Sequence, residues 1–123
     1  DFRPAHAASG KIKKGDGVPE IVLQQTPDIL AGIGARKRND HVLVGFAAET
    51  ANLVDNAKEK LERKRLDLIV ANDVSASGVG FAHDTNAVTL LRPDAKPVEI
   101  DLATKREVAR AIINAVVDIR NAR

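Results

Sequence analysis

The sequence predicts an α/β domain: a parallel sheet flanked by helices, with a C-terminal β-hairpin and a final helix. Three observations lead there. Short branched apolar runs alternate with stretches of helical spacing. One run, 42–48 (Val-Leu-Val-Gly-Phe-Ala-Ala), is apolar throughout, as a strand buried on both faces requires. Near the C-terminus Thr104 and Glu107 form a capping box ahead of a long amphipathic stripe.

In chain order, residues 1–19 read as an extended or mobile lead-in, punctuated by Pro4, Gly10, Gly15, Gly17 and Pro19. Residues 20–25 have the length and branching of a strand. Thr26-Pro27-Asp28 then combines three helix-start signals: a capping hydroxyl, a proline suited to the first helical position and a carboxylate at the positive dipole end. Ile29, Leu30 and Ile33 are the expected buried stripe, with Arg36, Lys37 and Arg38 at the helix end. After the strand at 42–48, a helix is expected from about Asn52 to Arg65, with Leu53, Ala57 and Leu61 on one side. Residues 66–71 form the next strand, and a loop from Asn72 to about Asn86 carries Gly78 and Gly80. Residues 87–91 and 97–101 can pair as a hairpin across Pro93-Asp94. The last helix buries Val108, Ala111, Ile112, Ala115, Val116 and Ile119. Sheets of this kind hold ligands beyond the C-terminal strand ends, which directs attention to loops 25–28, 46–52 and 72–86.

The 123 residues suit one domain. With three Phe and no Tyr or Trp, the core is aliphatic and few rings are left to stack on bases. A net charge of +2 is too small for a general polyanion binder, so no nucleic-acid partner is expected. The absence of Cys removes thiol nucleophiles, disulfides and thiolate zinc sites, and fits a cytoplasmic chain. No apolar run is long enough to span a bilayer, and no membrane partner is expected.

Four groups of residues can carry chemistry. Lys11, Lys13 and Lys14 lie between glycines, where ammonium groups on a mobile loop can close over phosphates. The competing reading is a solvated charged loop, and the segment lacks the spacing of a Walker loop. Lys60 and Lys64 share a helix face. Glu59 can pair with Arg63 and Glu62 with Lys58, leaving only Asp67 within reach of Lys64. That acid-poor pairing suggests an anionic ligand, against a solvated face of snorkelling lysines. The helix start at Thr26-Pro27-Asp28 offers free N–H groups to an anion or a base edge, against ordinary capping. Phe46 is most simply core, with base contact as its alternative. Arg36, Lys37 and Arg38 read as dipole complement and solvated surface. The three histidines lack ligand spacing, there is no Gly-x-Ser-x-Gly elbow, and Asp28, Glu49 and Asp73 near strand ends form no pair suited to a metal.

Six segments in order then carry a resemblance: DFRP at 1–4, KIKK at 11–14, TPDIL at 26–30, VGFAAET at 44–50, AKEKLERK at 57–64 and DLIVAND at 67–73. Over residues 1 to about 118 the chain resembles the bacterial phosphopantothenate–cysteine ligases, the synthetase half of the bifunctional coenzyme A biosynthesis flavoproteins. The resemblance implies a Rossmann-like fold and a homodimer. It implies activation of the 4′-phosphopantothenate carboxylate by CTP with release of pyrophosphate. L-Cysteine then attacks the acyl-cytidylate and CMP leaves. Mg2+ accompanies the triphosphate, and FMN belongs only to the decarboxylase half. By the same resemblance the CTP contacts are Asp1 and Lys11 of a mobile strap, then Thr26, Pro27, Asp28 and Ile29 beneath the nucleotide. Thr26 stands where Asn is common. Phe46 lies on the base side, and Lys60 and Lys64 reach the triphosphate. Lys11 is also tied to conversion of the acyl-cytidylate.

The family's domain carries an earlier β-α-β portion, with a glycine-rich segment and an asparagine acting on the intermediate, that these residues do not include. Residues 1–123 are thus expected to be the C-terminal part of one CTP-binding domain, with 1–19 as strap and 20–123 as body. Alone they are expected to be inactive and poorly stable. The competing functional class is a non-catalytic nucleotide- or anion-binding α/β module.

Overall fold

The computed structural model describes residues 1–75 and 84–123, so most of the expected loop at 72–86, with Gly78 and Gly80, lies outside the described residues. The architecture is mixed α/β. A four-stranded sheet runs in the order β3-β4-β5-β6, built from Val44–Glu49, Leu68–Asp73, Thr85–Leu91 and Val98–Thr104. β3 and β4 are parallel, joined by helix α2 (Leu53–Arg63); β4–β5 and β5–β6 are antiparallel. The parallel unit and the closing hairpin stand where the sequence places them.

Side-chain alternation along β4 divides the core. Ile69 and Ala71 point to one face and pack with Ala57 and Leu61 of α2, with Leu30 of α1 (Ile29–Ala35) partly buried against them. Leu68 and Val70 point to the other face, against Val108 and Ile119 of α3 (Lys105–Asn121). Leu68 and Ala71 are 0% exposed, as befits β4, an inner strand of the sheet. Helix α3 starts as its sequence requires. Thr104 Oγ1 accepts from Glu107 N at 3.2 Å, and Glu107 Oε2 accepts from Thr104 N at 2.8 Å.

Four expectations are corrected. Strand 20–25 contracts to β2 (Leu23–Gln25) and does not enter the sheet. It pairs antiparallel with β1 (Phe2–Pro4), so part of the lead-in is regular structure. Ala5 N to Val22 O at 2.8 Å and Thr26 N to Asp1 O at 3.0 Å extend this ribbon at both ends. The strand at 42–48 is not buried on both faces. β3 lies at the sheet edge, with Gly45 and Ala47 buried but Phe46 72% exposed. An unbroken apolar run records hydrophobicity, not which strands flank it. The α1 stripe is not buried as a unit: Leu30 packs, whereas Ile29 is 75% and Ile33 41% exposed. The closest approach of α1 is made by Gly34, where an added Cβ would lie 1.9 Å from the carbonyl oxygen of Lys64. Lastly, Asp28 rather than Thr26 caps α1, its Oδ1 accepting from Ala31 N at 3.0 Å, so Pro27 precedes the cap. Either residue type caps well, and only the backbone geometry selects between them. Among the described residues no helix is long and apolar enough to cross a membrane.

Candidate functional site

The parallel pair β3–β4 ends at Glu49 and Asp73, and α2 leaves from this end with its N-cap at Asn52. Glu49 is the residue on which the nearby polar groups converge. Its side chain is only 11% exposed, and Oε1 accepts from Lys60 Nζ at 2.5 Å. Asn56 Nδ2 donates to Glu49 Oε2 at 3.2 Å and to Ala51 O at 3.0 Å. The hydrogen bond from Lys60 holds the Glu49 carboxyl below the ordinary glutamate range, against the opposing effect of burial.

One turn along α2, Lys64 Nζ lies 3.0 Å from Asp28 Oδ2. Asp28 thus serves two structures at once, capping α1 and pairing with α2. The Ala31 N–H and then the Lys64 ammonium draw its carboxyl below the usual range. The expectation of an acid-poor lysine face is overturned, because each lysine has a carboxylate from another element. Glu49 and Asp28 lie far from α2 in sequence, so helical spacing cannot reveal them. Asp67, the expected partner of Lys64, is used elsewhere. It is buried and accepts from Leu43 N at 2.7 Å, from Lys37 Nζ at 2.9 Å and from Arg123. Burial opposes its ionisation, but the Leu43 amide, Lys37 and Arg123 outweigh it and keep the carboxyl below the ordinary aspartate range. Lys37 is therefore not a solvated cation; its side chain is 16% exposed.

Phe46 stands exposed on the α3-facing side of β3, opposite Val70 in register. It is not core. On the same face and two residues further along β4, Asn72 lies opposite Ala48. Asn72 Oδ1 is buried without a hydrogen-bond partner among the described residues. A buried acceptor left unpaired costs free energy, so this atom is suited to a donor from a ligand. Sequence reading missed Asn72; the available signal was a lone amide closing the apolar run at 68–71. Asp1 comes beside Thr26 through the ribbon hydrogen bond at 3.0 Å. Pro27 and Ile29 flank Asp28 and are exposed. Lys11 is exposed and, among the described residues, has no hydrogen-bond or ion-pair partner. The structure thus joins Asp1 to Thr26, Lys64 to Asp28 and Lys60 to Glu49, and leaves Lys11 and Phe46 without polar or ionic partners.

The chain is 43% identical over 116 residues to the coenzyme A biosynthesis bifunctional protein CoaBC of Bacillus subtilis, covering 94% of this chain and 28% of that protein. It is 41% identical over 119 residues to a cysteine/cysteine sulfinic acid decarboxylase of an unknown prokaryotic organism, covering 97% of this chain and 33% of that one. The crystal structure of the C-terminal domain of a CoaBC protein superimposes with a TM-score of 0.76 at 34% identity, over all of this chain and 51% of that one. The chain therefore spans about a third of the curated relatives and half of that solved domain. The family model described as the DNA/pantothenate metabolism flavoprotein C-terminal domain matches residues 1–119, and the chain belongs to that family.

Proposed function

We propose that this chain is the CTP-binding part of a phosphopantothenate–cysteine ligase of coenzyme A biosynthesis. The observation that carries the proposal is the pair Lys60–Glu49 and Lys64–Asp28. Two ammonium groups one helical turn apart are held in fixed directions by carboxylates. An incoming triphosphate can take them over, exchanging one anionic partner for another. Phe46 supplies a face for the pyrimidine ring, and Asn72 Oδ1 supplies an acceptor for a base or substrate N–H. Thr26, Pro27, Asp28 and Ile29 form the turn beneath the nucleotide, with Asp1 brought alongside by the ribbon.

The reaction needs no side-chain nucleophile. A carboxylate oxygen of 4′-phosphopantothenate attacks the α-phosphorus of CTP, and pyrophosphate leaves. The amine of L-cysteine then attacks the acyl carbon; the amide forms, CMP departs and the amine proton is lost. Lys60 and Lys64 neutralise charge on the triphosphate, and Lys11, swinging in on its exposed segment, does so on the transferred phosphoryl group. Among the described residues no three His, Cys, Asp or Glu converge into a metal cage. A Mg2+ accompanying the nucleotide would be held chiefly by phosphate oxygens and water and would supply further charge neutralisation when bound. The apolar Phe2, Ile21, Val22 and Leu23, exposed on a two-stranded ribbon too small to be stable alone, support pairing with a second copy.

The test is pyrophosphate release by the whole protein containing this chain, dependent on both CTP and 4′-phosphopantothenate. Slower release at sub-saturating CTP is expected in Lys60→Ala. CTP binding with no release under any combination of substrates would identify a nucleotide-binding module instead.

A further inference from the structure

A second concentration of charge lies at the opposite ends of β3 and β4, before their first residues. Lys37, Arg38, Asn39, Arg65 and Arg123 line a cavity of about 540 Å³. Three of the four cations are fixed by protein groups. Lys37 Nζ donates to Arg65 O at 2.7 Å and Asp67 Oδ1 at 2.9 Å. Arg123 donates to Asn39 O at 3.0 Å, to His41 O at 2.6 Å and to Asp67. Arg38 donates to the two Asp40 oxygens at 3.1 and 3.0 Å.

Arg65 differs. Among the described residues its guanidinium has no hydrogen-bond or ion-pair partner. Its backbone is left-handed, with φ 52°. It follows the C-cap of α2, where Arg65 N bonds Glu62 O and Leu66 N bonds Leu61 O, each within 3.0 Å. This helix ending favours glycine, because a Cβ crowds the left-handed backbone. An unpaired cation therefore occupies a position where local sterics favour no side chain at all. Four cations line the cavity, against Asp67 and Asp40 in contact with them, an excess of two positive charges. Among the described residues no aromatic or aliphatic side chain lines it, so neither a nucleobase nor an acyl chain has a surface to pack on there.

We propose that this cavity is a second anion site, separate from the nucleotide site, that takes a small phosphate-type oxyanion of two or more negative charges. Arg65 is its principal ligand, and the unused donors of Lys37 and Arg38 complete it. The proposal does not depend on the ligase reading.

Calorimetric titration of inorganic pyrophosphate into the whole protein tests it, in a Lys60→Ala/Lys64→Ala background that weakens the first site. Saturable binding is expected to remain in that background and to fall as salt rises. Adding Arg65→Gln should weaken it roughly tenfold, and Arg65→Lys should restore part of the loss. Arg65 makes no protein contact through its charge, so the thermal midpoint of Arg65→Gln should stay within about 2 °C of its parent. Arg38→Gln, which removes an exposed cation, serves as a second variant and should weaken binding in the same direction. No saturable binding in the double-lysine background, or an affinity unchanged by both Arg65→Gln and Arg38→Gln, overturns the proposal.

Discussion

Lys64 Nζ lies 3.0 Å from Asp28 Oδ2, joining the end of α2 to the cap of α1 between residues 36 apart in sequence. The Lys60–Glu49 pair is its counterpart one turn earlier. Both lysines are ion-paired before any anion arrives, so a ligand phosphate gains only the difference between two anionic partners.

For that reason Lys60→Ala and Lys64→Ala should each weaken CTP binding by about tenfold, toward the low end for a charge-assisted phosphate contact. Equilibrium titration of CTP into the whole protein measures this. An unchanged affinity in the double variant would leave the lysines as interhelix and strand-to-helix ties only.

Lys11 stands apart, exposed and without a partner among the described residues. A contact made only once the strap closes acts mainly in the transition state, so Lys11→Ala should lower kcat more than it raises the KM for CTP. Steady-state kinetics on the whole protein separates the two. A rise in KM with kcat intact would make Lys11 a uniform binding group.

Two glycines of α1 should respond oppositely. At Gly34 an added methyl would lie 1.9 Å from Lys64 O, so Gly34→Ala must displace α1 from α2 and should cost about 2 kcal/mol. At Gly32 nothing lies within 4 Å, so Gly32→Ala should stabilise the helix by up to about 1 kcal/mol. Thermal melts of the two variants, several degrees apart, check this. Equal midpoints would mean that α1 does not pack as described.

The buried Asp67 ties Lys37, Arg123 and the Leu43 amide into one cluster. Its folded-state carboxyl titrates below the unfolded value of about 3.9, so its contribution is fully present above that value. That contribution is lost as pH falls through the lower, folded-state pKa. Asp67→Asn should cost about 2 kcal/mol near neutrality, by leaving the half-buried Lys37 and the more exposed Arg123 without their carboxylate. It should also flatten the acid limb of stability against pH. Denaturant melts from pH 7 down to 3 read both effects; a variant that keeps the parent's acid limb would place the acid sensitivity in Asp28 and Glu49.

The sequence alone determined the features governed by neighbours within a turn or a pleat: the α2 stripe of Leu53, Ala57 and Leu61, the Thr104–Glu107 capping box, the parallel unit around α2 and the hairpin at Pro93-Asp94. It also placed attention on the end of β3 and on Lys60 and Lys64. Tertiary structure alone decided which strands are inner, sending β2 to β1 and Phe46 to an exposed edge. It alone supplied Glu49 and Asp28 to the lysines, buried Lys37 against Asp67 and left Asn72 Oδ1 unpaired. The division follows range: caps and periodicity act between residues a few positions apart, whereas strand order, burial and charge pairing depend on contacts between segments tens of residues apart.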